Sequence, residues 1–304
     1  MLVTLKEVLS EAVKKKYAVP ALNGHDFYTA QGCLLACEQM DRPLILLYAA
    51  DFTFPADFRQ DVHMRMLMEM ARSAKIPVCV MIDHAGSFEL CMQAIHFGCG
   101  GVMIDGSTLP FEENVALVSK VTEAAHACGV SVEAEIGHVG GYEGTPDEGI
   151  AKPQFYTKPE EAERFVELTG VDALAIAFGS NHGPYQGTPH LDIPRLQEIR
   201  QRVGNLPLVL HGGSGLPDEE FSKAVAGGIN KVNYISGMQI NCANAMRKLS
   251  DDNAGKRLTA RQMLEVGLNS IIEETRHILQ VFNTQQLTVS ASELESATAR
   301  RYQG

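Results

Sequence analysis

The stretch PVCVMIDHAGSFELC, residues 77–91, runs through an apolar core, Val78–Ile82, to Asp83-His84, then turns at Gly86-Ser87 into a helical pattern. An unbroken apolar run suits a strand covered on both faces, as in a parallel sheet. A polar pair at its end places ionisable groups at the rim of that sheet. PLVLHGGSG at 207–215 repeats the design, with His211 closing the run and glycines following it.

Working outward in both directions, the same alternation predicts strands at Ala18–Asn23, Pro43–Ala49, Val78–His84, Gly101–Asp105, Ser131–Gly137, Ala173–Gly179, Pro207–Gly212 and Lys231–Ser236. Amphipathic stretches lie between them, among them Tyr28–Met40, Asp61–Ala74, Ser87–Phe97, Phe111–Cys128 and Pro159–Leu168. Eight strand–helix units in 304 residues imply an α/β fold, a single (β/α)8 TIM barrel. A doubly wound open sheet is the alternative, but it needs a glycine-rich turn after the first strand, and Asn23-Gly24-His25 is not one. An extra helix is expected at about Thr259–Phe282, so the barrel unit spans 1–282. The Ser-, Thr-, Ala- and Gln-rich segment 283–304 reads as a C-terminal tail.

Hydrophobic residues make up 45% and charged residues 21% of the chain, which excludes a disordered or fibrous protein. No apolar run reaches the roughly 18 residues of a membrane span. The first nineteen residues read as one amphipathic helix, without the basic start and cleavage site of a signal peptide, so a cytoplasmic protein is expected. The net charge of −11, with no basic stripe, argues against a nucleic-acid partner. Seven scattered cysteines read as free thiols in a reducing compartment.

A barrel of this kind carries its chemistry at the C-terminal ends of its strands. Read in order, those ends are Asn23, Asp83-His84, Asp105, Glu135, the Gly179–Gly183 loop, His211 and Asn233. His84, His182 and His211 would supply three imidazoles from different strands, a donor set suited to a catalytic zinc or similar divalent ion. Asp105 and Glu135 are candidates to orient those ligands or to hold an alternative ion position. Gly212, Gly213 and Ser214 follow strand seven, and Asn233 to Ser236 close strand eight, where barrels commonly bind phosphate. The glycine-rich segment Gly137–Gly149 offers a movable carboxylate, Glu143, as a general base.

Taken together, MIDHAGS at 81–87, GVMIDGSTLPFEEN at 101–114, SVEAEIGHVGG at 131–141, AFGSNHGPYQG at 177–187, PLVLHGGSG at 207–215 and KVN at 231–233 resemble the class II, zinc-dependent ketose-bisphosphate aldolases. The resemblance covers about residues 1–282. It implies reversible cleavage of a ketose (bis)phosphate to dihydroxyacetone phosphate and an aldehyde. It further implies one catalytic Zn2+ on His84, His182 and His211, with Asp105 and Glu135 around a more buried ion position and a second divalent or monovalent cation admitted.

By the same resemblance Asp83 handles the aldehyde oxygen or C4 hydroxyl, and Glu143 moves the proton at C3. Gly183, Gly213, Ser214, Asn233 and Ser236 match the cradle for the donor phosphate, with Gly212 in the same loop. Asn23 and Arg261 match groups on the distal phosphate, the arginine coming from a neighbouring subunit of a homodimer or homotetramer. Departures from the family pattern fall on the substrate rim, notably Ile235, Ala49, His25, Leu22 and Tyr142. A non-catalytic aldolase-like subunit is the second reading and would be expected to lack some of these groups. A metal-dependent barrel hydrolase is the third and would usually carry His-x-His on its first strand, where His25 stands alone.

Overall fold

The computed structural model describes residues 1–49, 59–140, 153–183, 185 and 189–288. Its strands are β1 Val19–Asn23, β2 Leu44–Ala49, β3 Val78–Ala85, β4 Gly101–Ile104, β5 Ser131–Ile136, β6 Ala173–Ile176, β7 Leu208–Leu210 and β8 Ile229–Asn233. All pair in parallel and in chain order, and β1 pairs with β8, so the sheet closes. The helices are α1 Leu5–Val8, α2 Ala12–Lys15, α3 Phe27–Met40, α4 Gln60–Ser73, α5 Phe88–His96, α6 Phe111–Ala127, α7 Pro159–Thr169, α8 Ile193–Val203, α9 Asp218–Gly227, α10 Ser236–Asp252 and α11 Ala260–Val281. Among the described residues no helix is long and apolar enough to cross a membrane.

Strand period divides the core in two. Leu22, Leu46, Val80, Val102, Val132, Leu174, Leu208 and Val232 belong to the large apolar cluster that includes the surrounding helices. Their odd-numbered neighbours Ala21, Ile45, Leu47, Cys79, Met81, Met103, Ala173, Ala175 and Val209 form a second cluster inside the barrel. That inner cluster is completed from below by Val3, Leu5, Val8, Leu9, Ala12 and Tyr17. The N-terminal segment is therefore a floor to the barrel, and here the expectation of one amphipathic helix fails. It forms two short helices: Thr4 and Glu7 cap the first with a reciprocal pair of bonds, and Lys16 ends the second in the left-handed region. The break lets apolar side chains from both pieces point into a circular opening that one straight helix could not fill.

Strands six and seven are shorter than expected. Past Ile176 the backbone carbonyl of Ala177 accepts from Thr157 and that of Phe178 from Asp192, so these residues leave the ladder for the neighbouring loops. Strand eight starts two residues earlier than Lys231 and ends at Asn233; Ser236 opens α10. After α11, Thr284 donates its hydroxyl to Ala18 O at 2.7 Å, and Thr288 binds both oxygens of Glu11. Residues 283–288 thus run along the barrel wall beside the floor.

Candidate active site and metal centre

The same alternation that packs apolar side chains inside the barrel turns Asp83, Glu133, Glu135, His211, Lys231 and Asn233 into it as well, with Glu133 and Lys231 in register with Ala173 and Val209 of the apolar cluster. All six are buried. His84 follows Asp83 at a left-handed φ of 47°, a costly conformation for a non-glycine residue, and the strand register shifts between Ile82 and Ala85. This irregularity brings two consecutive side chains of β3 to the site, where a regular strand would send one outward.

The three predicted imidazoles meet. Ring centroids lie 4.6 Å apart for His84 and His211, 5.3 Å for His84 and His182, and 5.9 Å for His182 and His211. His84 Nδ1 bonds Asp105 Oδ2 at 2.8 Å, and His211 Nε2 bonds Glu133 Oε1 at 3.0 Å. With those nitrogens donating to carboxylates, His84 Nε2 and His211 Nδ1 turn lone pairs toward each other across 2.9 Å. Two facing lone pairs repel unless a cation lies between them. Glu135 Oε2, buried and without a hydrogen bond, stands 3.6 Å from the same His211 nitrogen. The donor set therefore fits a divalent ion of the zinc type, each of these two imidazoles being aimed by a carboxylate behind it.

Burial opposes ionisation of Asp105, but the bond to His84, the charge of that ring and the bonds from Ser107 together outweigh it and hold the carboxyl below the usual range. Glu133 is likewise held down, burial being overcome by the Lys231 ammonium and His211. Glu135 goes the other way: burial, then the neighbouring Asp105 charge, push it up to about 8. Burial lowers His211, which keeps its imidazole neutral and fit to ligate.

His182 sits in the loop after β6, its backbone N–H donating to Gly140 O at 2.7 Å, so the loops after β5 and β6 are tied beside the histidines. Tyr185 closes the next gap, its hydroxyl donating to Gly212 O at 2.7 Å and accepting from Asn181 N. Gly212 has φ of 66°, and a Cβ there would run into the carbonyl of Asn181; only glycine lets these loops approach. Gly213 and Ser214 follow, and Ser214 Oγ accepts from Ile235 N at 3.2 Å. Beside them α10 begins at Ser236, its N-cap residue Ile235 making no side-chain capping bond. Gly183 is in the same rim at φ of 78°.

Asp83 receives Asn233 Nδ2 on both oxygens at 3.1 Å. Asn23 ends β1, buried, with its Oδ1 unbonded. Arg261 is exposed in the first turn of α11, and among the described residues nothing binds its guanidinium. Glu143 and Tyr142 lie outside the described residues.

Two groups at the centre escaped the sequence reading. Glu133 is one: SVEAEIG places it on the same strand face as Glu135, but within the strand and not at its end. Lys231 does not open strand eight at the far end of the barrel. It lies inside, fully buried, with Nζ 2.8 Å from Glu133 Oε1 and 2.8 Å from Asn233 Oδ1. The signal for both was a charge at period two inside an apolar strand, with one acid and one base to match.

A closed parallel barrel with this mouth is a barrel enzyme built around a donor set for a divalent cation. Residues 3–286 match the family model described as fructose-bisphosphate aldolase class-II. The fructose-bisphosphate aldolase of Geobacillus stearothermophilus is 42% identical over 82% of this chain and 85% of its own length. That of Staphylococcus aureus (strain Mu50) is 40% identical over 93% and 98%. The crystal structure of the YdjI aldolase from Escherichia coli K12 superposes with a TM-score of 0.81 at 27% identity, covering 93% of this chain and 98% of that one. The chain belongs to the class II fructose-bisphosphate aldolase family, and is accordingly an aldolase, a carbon–carbon lyase.

Proposed function

We propose that this protein is a zinc-dependent aldolase that reversibly cleaves a ketose (bis)phosphate to dihydroxyacetone phosphate and an aldehyde. The observation that carries this reading is the convergence of His84, His182 and His211, two of them backed by carboxylates, beside a glycine-rich rim. Held by these imidazoles, the ion supplies the electrophile for the negative charge of the enediolate left by C–C cleavage.

Asp83 accepts the proton of the C4 hydroxyl in cleavage and returns it to the aldehyde oxygen in condensation. Its two bonds from Asn233 aim it. Glu143 delivers the proton to C3 of the enediolate. Gly183, Gly212, Gly213, Ser214 and Ser236, with Asn233 beside them, hold the donor phosphate through backbone N–H groups and hydroxyls at the start of α10. Asn23, together with Arg261 of a neighbouring subunit in a homodimer or homotetramer, holds the far end of the substrate. A Schiff-base route is disfavoured: the Lys231 ammonium, fixed between a carboxylate and a carbonyl oxygen, offers no lone pair for attack.

The test is exchange of the C3 proton of dihydroxyacetone phosphate with solvent, with and without chelator. Exchange that stops with chelator and returns with Zn2+ supports the reading, and a screen of phosphorylated and unphosphorylated aldehydes then identifies the acceptor. A zinc-loaded protein that exchanges nothing overturns it.

A further inference from the structure

Three overlapping donor sets share the barrel mouth: His84–His182–His211, His84–Asp105–Glu135 and Asp83–Glu133–His211. The third already has a cation beside it, the Lys231 ammonium, bonded to Glu133 and one residue removed from Asp83. An ammonium only donates hydrogen bonds. Lys231 therefore obliges Asn233 to present Oδ1 to it and Nδ2 to Asp83, where both carboxylate oxygens take it up. On its other side Lys231 holds Glu133 Oε1, which receives His211 Nε2–H. That bond fixes the tautomer that turns His211 Nδ1 toward His84.

A single buried side chain thus stands between the carboxylate that handles the substrate hydroxyl and a nitrogen that holds the ion. A lysine present only to neutralise Glu133 would have no need of Asn233.

We propose that Lys231 is the positioning residue of this site, setting His211 through Glu133 and Asp83 through Asn233 so that metal and acid keep one registry. The inference rests on the aldolase reading above.

Replacing Lys231 alone strands the buried Glu133 charge and endangers the fold. The informative variant is therefore Lys231→Met combined with Glu133→Gln, in the full chain, which leaves no uncompensated charge and still offers His211 an acceptor. Folding is checked by a cooperative thermal transition. Zn2+ affinity is measured by chelator competition, the ligand field by the visible spectrum of the Co2+-substituted protein, and turnover by kcat and KM.

The expected result is a folded variant with an altered Co2+ spectrum and Zn2+ affinity weakened about 10- to 100-fold, as when a ligand loses the group that orients it. With zinc saturating, kcat should fall by at least about tenfold while KM changes less, the sign of an interaction used in the transition state. A folded variant with the wild-type Co2+ spectrum and Zn2+ affinity, or with wild-type kcat, overturns the proposal. Wild-type protein without proton exchange would instead sink the aldolase reading, and the zinc and cobalt measurements would still judge Lys231.

Discussion

The two halves of the barrel interior are built from the same strands and obey opposite rules. Below, Ile45, Leu47, Cys79, Met81 and Val209 pack against Leu5, Val8, Leu9 and Tyr17 of the N-terminal floor, and nearly every atom there is carbon or sulfur. Asp83 and His211, two residues further along β3 and β7, and Glu133, Lys231 and Asn233 of β5 and β8 are equally buried and almost wholly polar, with Glu133 paired beside Ala173 and Lys231 beside Val209. The floor gains by removing apolar area from water, and it works with any side chains of the right volume. The mouth tolerates burial only because its polar groups are chained to one another, so it depends on atom-by-atom placement. The lower half makes the molecule stable so that the upper half can be costly.

The sharpest way to break this division is at a ligand. His84→Ala should reduce bound zinc and lower activity together by about a thousandfold, since the ion contributes several kcal/mol to the transition state. Metal analysis beside a rate assay checks it; a variant that is fully metallated and active would remove His84 from the donor set.

Leu5→Ala should do the reverse. Leu5 is fully buried in the floor, so the truncation should cost about 2–5 kcal/mol of stability while kcat of the folded protein stays near wild type. Urea unfolding paired with kcat decides this, and a large drop in kcat would show that floor and mouth are coupled.

Glu135 sharpens the comparison through pH. Its carboxyl is pushed up to about 8 from an ordinary 4.5, so the neutral form is the one the folded, metal-free protein favours. Stability from this group is full below about 4.5 and is lost as pH rises through 8, at about 1.4 kcal/mol per unit. In chelator-treated protein, Glu135→Gln should match wild type at pH 5 and exceed it by roughly 3 kcal/mol at pH 8. Parallel stability curves across that range would contradict the assignment. The smallest effect belongs to the outer wall: Thr288→Ala, which keeps the backbone bond to Glu11, should cost no more than about 1 kcal/mol by thermal unfolding, the worth of one exposed hydroxyl bond.

Much of this was legible in the sequence. The strand centres, the closed barrel and the three histidines follow from apolar runs that end in ionisable groups. The expected β6 runs past Ile176 because Ala177–Gly179 continue the apolar and glycine pattern, although loop amides capture the carbonyls of Ala177 and Phe178. The floor was misread because the short stretch from Leu5 to Tyr17 has an apolar pattern that suits one helix or two; only the shape of the opening decides. Glu133 and Lys231 were missed for a different reason. Their pairing joins residues 98 positions apart, and a charged residue within a strand reads as solvent-facing until its partner across the barrel is known.

The seam at the base of the barrel bears on how the chain is made. The N-terminal ammonium is held by Ala74 O and Ile76 O, Ala18 bonds Phe282, and Glu11 waits for Thr288. As the polypeptide leaves the ribosome, the plug emerges well over 200 residues before some of its partners. Until β8 arrives to lie against β1, the growing sheet carries an open edge on either side, the kind of surface on which unfinished chains associate. Closure is thus a late event that joins β1 to the last strand of the barrel. A chain interrupted before β8 should sediment as aggregates, whereas one stopped just after residue 288 should remain monodisperse.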